Sequence, residues 1–278
     1  MGWLEALIAG IIQGITEFLP VSSTGHLIIF QTFAGSEDAS YLAFNVFLHM
    51  ATLVSVFVVF HKDVWMLIRE FFTAIYDICR GKPNFKTPER RFLLMVIIGT
   101  IPAVFVGAGY KLLGMDSVLD NIFVVAVMLI FTAVLMFTID RFKEGKYSIE
   151  NAPLNSALTV GLMQAVAILP GLSRSGSTIF GGRFSGLKKD FAIKYSFILS
   201  IPAILGAEIL ILIGVARSGE PLDINVFSWV IGFIAAAIFG IIAIRLIRLL
   251  IIHDKFYIFG IYCLFASAFA FLVGFGII

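Results

Sequence analysis

Apolar runs at or near the ~20 residues that a helix needs to cross a bilayer recur along almost the whole chain, and this limits the fold more than any other feature. Of 278 residues, 60% are hydrophobic and 14% are charged, against about 25% charged in an ordinary soluble domain. The chain is therefore expected to be an integral membrane protein. The runs come as helix-length blocks without the two-residue alternation of an outer-membrane barrel, so the fold class is all-α. A net charge of +2 gives no sign of a nucleic-acid partner. Cys79 and Cys263 lie far apart without ligand spacing and are read as packing residues. No basic region precedes the first apolar run, so no cleavable signal is expected.

Met1 to about Thr16 has helical spacing of Leu4, Leu7, Ile8, Ile11, Ile12 and Ile15 and stops at Leu19-Pro20, too short to span comfortably. Ser22, Ser23 and Thr24 then offer capping groups for a second short helix, from Gly25 to about Phe33. Two short helices around a polar break make a re-entrant hairpin, which is tolerated at membrane depth only where it is buried in protein or lines a wet cavity. The same pattern returns from Leu154 to about Gly186. Full spans are expected over residues 41–60, 92–113, 121–139, 191–215, 227–249 and 256–278. Between the first two, the stretch from Lys62 to Arg91 carries seven Lys or Arg residues. Trp65, Leu67, Ile68, Phe71, Phe72 and Ile75 there are spaced for an amphipathic interfacial helix, closed by a loop at Pro83 and Pro88. The expectation is thus about six transmembrane helices plus two re-entrant helical hairpins in a single polytopic domain, 1–278.

The positive-inside rule sends Lys62 to Arg91 and the loop at Arg141, Lys143 and Lys146 to the cytoplasm, and the turn carrying Lys111, Asp116 and Asp120 outside. Counting spans then places Lys188, Lys189, Lys194, Arg245, Arg248 and Lys255 inside, and Arg217 and both termini outside. The two hairpins therefore enter from opposite faces. GIIQGITEFLP, from Gly10, aligns with GLMQAVAILP, from Gly161, if one residue is deleted from the second copy. That pairs Gln13 with Gln164, Pro20 with Pro170 and Ser23 with Ser173. Opposed hairpins and this echo together imply an inverted-topology repeat, with halves of about 1–140 and 153–278 meeting near the midplane. A weaker echo, Ile101-Pro102-Ala103 against Ile201-Pro202-Ala203, marks a candidate second pair of matching helices.

The polar breaks carry the chemistry. Around the second, Arg174 stands among Ser173, Ser175, Ser177 and Thr178 just before a predicted helix N-terminus. A guanidinium, hydroxyls, free amides and the positive end of a helix dipole all favour an oxyanion such as phosphate. An arginine at that depth is costly and is usually functional. In the first break, Glu17 is the only acid between Glu5 and Glu37. It is a candidate general base, a candidate ligand for a divalent cation bridging to phosphate oxygens, or the ion-pair partner of Arg174. Gln13, one turn earlier, can position a metal, a water or the phosphate but supplies no charge. Ser22, Ser23 and Thr24 are either helix caps or substrate contacts, and His26 is a candidate proton shuttle. His49 reads as structural, and Glu208 stands alone in an apolar span without an evident partner or mechanism. These groups fit phosphoryl transfer from a lipid phosphate or diphosphate.

At QGITEFLPVSSTGHL, Gln13 to Leu27, and PGLSRSGST, Pro170 to Thr178, the chain resembles the undecaprenyl-diphosphate phosphatase family, also called bacitracin-resistance proteins. The first segment matches the family's (E/Q)xxxE pattern and the serine-histidine run after it; the second matches PGxSRSxxT. The resemblance extends over essentially the whole chain. It implies hydrolysis of the C55 isoprenoid diphosphate to the monophosphate in the bacterial cytoplasmic (inner) membrane, with the help of a divalent cation, Mg2+ or Ca2+. That reaction recycles the carrier lipid of cell-wall peptidoglycan synthesis and confers bacitracin resistance. Gln13 stands where many members carry glutamate, leaving Glu17 as the only motif carboxylate. On this reading Glu17, Ser23, His26 and Arg174 are catalytic, with Glu17 also the metal ligand. Gln13, Ser22, Thr24, Ser173, Ser175, Ser177 and Thr178 contact the substrate. Either Ser23 attacks phosphorus or a metal-bound water does. The rival is a lipid-phosphate flippase built on the same inverted repeat, although a carrier needs neither a nucleophile nor a proton shuttle. The expected partners are the bilayer and an isoprenoid diphosphate lipid; the oligomeric state is open, with a homodimer among the alternatives.

Overall fold

The computed structural model describes residues 2–34, 39–82, 84–114, 121–218, 225–251 and 255–277. The described elements are helices throughout: α1 (Trp3–Phe18), α2 (Ser23–Ala34), α3 (Ala39–Val59), α4 (His61–Cys79), α5 (Pro88–Leu112), α6 (Ile122–Ile139), α7 (Leu154–Val166), α8 (Arg174–Phe184), α9 (Lys189–Ser218), α10 (Val226–Ile251) and α11 (Tyr257–Gly274). Six of them, α3, α5, α6, α9, α10 and α11, are long and apolar enough to cross a membrane. The chain is a multi-pass membrane protein, as its composition requires. α1, α2, α7 and α8 have 16, 12, 13 and 11 residues. At ~1.5 Å per residue each falls short of the ~30 Å hydrocarbon core. The expected turn residues Asp116 and Asp120, and Pro83, lie outside the described residues.

Each pair of short helices packs together, α1 on α2 and α7 on α8, and each pair lies against a long helix. α1 crosses α10 where Gly10 meets Gly232, and α7 crosses α5 where Gly161 meets Gly99. In both places a Cβ would run into the backbone of the facing glycine, so the axes approach as only small residues allow. α3 packs between α9 and α10, and α6 between α8 and α11. Pro102 and Pro202 sit inside α5 and α9. α5 packs on α4, α7 and α9, and α9 on α3, α5 and α8.

α4 is amphipathic as expected, with Trp65, Ile68, Phe71, Phe72 and Ile75 exposed and Val64, Leu67 and Ala74 buried. Arg90 of α5 holds it in place, with Nε donating to Glu70 Oε2 at 2.7 Å and Nη2 to Asp77 Oδ2 at 2.9 Å. Pro88 opens α5 instead of closing a loop, because at a first helical position its missing N–H costs nothing.

Several basic segments gather at one end of the bundle. Lys194 Nζ donates to Asp63 Oδ1 at 2.9 Å, and Arg183 reaches the carbonyls of Phe142 and Lys143. Arg248 lies over the Phe60 ring, and the Asp140 carboxylate accepts from the Phe256 and Tyr257 amides.

Candidate active site

The breaks between the short helices face each other. α1 ends at Phe18, and beyond Leu19-Pro20 the backbone at Ser22 takes φ 71°, a left-handed conformation costing ~1–2 kcal/mol for a residue with a Cβ. Ser22 is held there as the N-cap of α2. Its Oγ accepts from the Gly25 amide at 3.3 Å, and its carbonyl accepts from the His26 amide at 3.2 Å and from His26 Nδ1 at 2.7 Å.

α8 begins in the same way, with Ser173 Oγ accepting from the Gly176 amide at 3.1 Å and the Ser173 carbonyl accepting from the Ser177 amide at 2.8 Å. The caps therefore pair Ser22 with Ser173 and Gly25 with Gly176. This register needs no gap and still pairs Gln13 with Gln164. In it Pro20 and Pro170 fall one residue out of step and Ser23 falls on Arg174, whereas the alignment with one residue deleted puts Ser23 on Ser173. At Gly171, φ is 89° and a Cβ would collide with the Val125 backbone. Thr132 of α6 secures this turn, its Oγ1 donating to the Gly171 carbonyl at 2.9 Å and accepting from the Ser173 amide at 3.0 Å.

Glu17, 6% exposed, joins the two breaks. Its Oε1 pairs with Arg174 Nη2. Its Oε2 accepts from Ser23 Oγ at 2.6 Å and from Gln13 Nε2 at 3.1 Å. Ser175 adds a second link, donating from Oγ to the Leu19 carbonyl at 3.1 Å. Arg174 Nη1 is buried with no hydrogen-bond partner in the protein, so half of the guanidinium fork remains for an oxyanion.

Glu17, Ser22, Ser23 and Thr24 from the first break and Ser173, Arg174 and Ser175 from the second line an open cavity of about 50 Å³. That is room for a few waters or a terminal phosphoryl group. An isoprenoid chain must stay outside, and Ala167 to Pro170 give the cavity an apolar rim.

The remaining expected residues are placed elsewhere. Gln13 is fully buried behind Glu17, with its Oε1 unpartnered. Ser177 and Thr178 turn inward on α8 and are fully buried, and Thr178 Oγ1 lies 2.6 Å from Ser196 Oγ. Neither is among the residues lining the cavity; both lie one turn deeper into α8, covered by neighbouring helices. His26 is committed at both ring nitrogens, Nδ1 to the Ser22 carbonyl and Nε2 at 2.8 Å from Tyr262 Oη, and its ring stacks on Tyr262. A carbonyl only accepts, so Nδ1 carries the hydrogen.

Two groups to which the sequence assigned no part in the chemistry stand behind Glu17. His49 Nε2 is 3.8 Å from Glu17 Oε2, and His49 Nδ1 is 3.3 Å from Glu208 Oε1. The reading of Glu208 as without an evident partner is thereby corrected. The only signal was an acid in an apolar span, and its partner is remote in sequence. Among the described residues no three His, Cys, Asp or Glu side chains form a metal-binding group. Glu17 and the unpartnered Gln13 Oε1 are the oxygens that would serve a cation whose other ligands are phosphate oxygens and water.

Comparison with known proteins places this arrangement. The sequence profile of the family described as bacitracin resistance protein BacA matches residues 6–269. The chain belongs to this family. The match takes in both breaks, from Gln13 to Leu27 and from Pro170 to Thr178. Family relatives named undecaprenyl-diphosphatase are similar over nearly their whole length. The one from Methanobrevibacter smithii is 42% identical over 266 residues, covering 95% of this chain and 94% of the relative. Those from Methanosphaera stadtmanae and Alkaliphilus metalliredigens are each 38% identical, covering 94% of this chain and 94% and 95% of the relatives.

Proposed function

We propose that this protein hydrolyses undecaprenyl diphosphate to undecaprenyl phosphate and inorganic phosphate, recycling the lipid carrier of cell-wall synthesis and conferring bacitracin resistance. Family membership and the relatives' name support this activity. The observation that carries the residue assignment is the Ser23 hydroxyl donating to a buried carboxylate that is itself paired with an arginine. The arrangement is a nucleophile beside its base, with an oxyanion grip next to both.

Arg174 Nη1 and the N-terminus of α8 bind the terminal phosphoryl group. Ser23 Oγ attacks its phosphorus as Glu17 Oε2 takes the hydroxyl proton. The bridging P–O bond breaks, and undecaprenyl phosphate leaves with the proton from Glu17. Water, deprotonated by the freed Glu17 carboxylate, then attacks the phosphoserine; the P–Oγ bond breaks, Glu17 returns that proton to Ser23 Oγ, and inorganic phosphate is released. Direct attack by water with Glu17 as base is the alternative within the same site. A divalent cation, Mg2+ or Ca2+, held by Glu17 with Gln13 Oε1, would neutralise charge on the phosphate oxygens. His26 is assigned to holding the Ser22 turn, since both its nitrogens are engaged away from the cavity.

The two short-helix pairs form re-entrant hairpins of an inverted repeat. The matched N-caps and the matched glycine crossings, Gly10 on Gly232 and Gly161 on Gly99, support this. The basic end lies in the cytoplasm and both termini lie outside, in the inner membrane of a bacterial cell.

Purified protein in detergent is expected to release phosphate from undecaprenyl diphosphate, where a lipid flippase would show nothing. Glu17→Ala should lower kcat by about 10²- to 10⁴-fold, with trapped phosphoserine in the wild type and none in Ser23→Ala. Near-normal release by Glu17→Ala would remove the site assignment. Full activity in Ser23→Ala would leave only attack by water.

A further inference from the structure

Beyond the groups already assigned, α3 and α9 bring an imidazole and a second carboxylate to the rear of Glu17. His49 Nδ1 lies 3.0 Å from the Asn45 carbonyl and 3.3 Å from Glu208 Oε1. A carbonyl cannot donate, so Nδ1 carries the hydrogen. The ring is thus fixed with Nε2 turned toward Glu17 Oε2, 3.8 Å away. Glu208 is 5% exposed in a candidate membrane span, and its Oε2 has no hydrogen-bond partner in the protein. A buried acid of this kind costs stability wherever packing is its only role.

What the pair opposes follows from the chemistry of Arg174. A guanidinium and a carboxylate prefer a bidentate fork, yet Glu17 meets Arg174 through Oε1 alone. A Glu17 that rotated into the fork would take Oε2 off the Ser23 hydroxyl. It would also occupy Nη1, the nitrogen left for phosphate. Gln13 and Ser23 hold Oε2 from the side of α1 and α2, and His49 stands on the third side.

We propose that His49 and Glu208 are a positioning pair that keeps Glu17 monodentate on Arg174. In this pair Glu208 orients the imidazole, and the imidazole confines the Oε2 edge of Glu17. The pair supplies from α9 a second carboxylate that the first break lacks. The proposal rests on the phosphatase reading above.

The test is phosphate release from undecaprenyl diphosphate in detergent, with thermal melting of the same preparations. Glu208→Leu and His49→Ala are each expected to lower kcat by about 10- to 100-fold, the scale of a misplaced catalytic group. The double variant should lose no more than either single one, since both remove the same unit. Glu208→Gln keeps an oxygen for the Nδ1 hydrogen and should recover part of the loss. Glu208→Leu should melt no lower than wild type, because it exchanges a buried acid for an apolar side chain.

Wild-type activity in Glu208→Leu overturns the pair. So do additive losses, no recovery in Glu208→Gln, or losses that track a lowered melting temperature. Absence of release from the wild-type protein would remove the phosphatase reading itself and the pair with it, an outcome distinct from the others.

Discussion

Arg174 uses its two terminal nitrogens differently, Nη2 on Glu17 and Nη1 buried without a hydrogen-bond partner. A lysine offers one compact charge that cannot serve both directions. Arg174→Lys is therefore expected to lower kcat/KM by about 10- to 100-fold, the worth of one or two hydrogen bonds to a charged group. Phosphate release at subsaturating lipid measures this. His26 invites a different comparison. An asparagine at 26 keeps a donor close to the position of Nδ1, whereas alanine removes it. His26→Asn should thus retain more kcat than His26→Ala if the ring holds the Ser22 carbonyl; equal losses in the two would favour a proton-transfer role.

At the scale of elements, the short helices need close backbone contact to stay in place, since lipid gives no hydrophobic drive for helix association. Gly161→Leu would force α7 away from α5, and Gly10→Leu would force α1 away from α10. Each is expected to cost about 1–3 kcal/mol through overpacking, read as a lower melting temperature in detergent. Activity should fall as well, because both crossings set the distance between the breaks. These crossings were hard to see in a sequence with 25 glycines. Spacing alone does not say which glycine meets a backbone. The alignment of the two breaks is likewise ambiguous in sequence: the shared Leu-Pro dipeptides suggest one register, whereas the similar cap hydrogen bonds of Ser22 and Ser173 suggest another, one residue away.

At the scale of the whole molecule, the basic segments meet at one end, which supplies an internal reporter of orientation. Cys79 closes α4 and is exposed, while Cys263 is buried. A membrane-impermeant maleimide should therefore label one cysteine, Cys79, in inverted vesicles and leave intact cells unlabelled. Labelling in intact cells would reverse the proposed orientation.

Hydropathy was enough to read the membrane class, the six long helices and the four short ones. Those properties depend on runs of adjacent residues, and the solvent preference of each run is a local quantity. The contact of Glu17 with Ser23 and Arg174 matches the grouping that the two polar breaks suggested. The tertiary structure alone decided which expected groups face the cavity. It turned Ser177 and Thr178 inward and engaged both nitrogens of His26. It also brought His49 and Glu208 to the back of Glu17. Such placements depend on which face of each helix meets which neighbour. Hydrophobic periodicity carries little of that information where nearly every face is apolar.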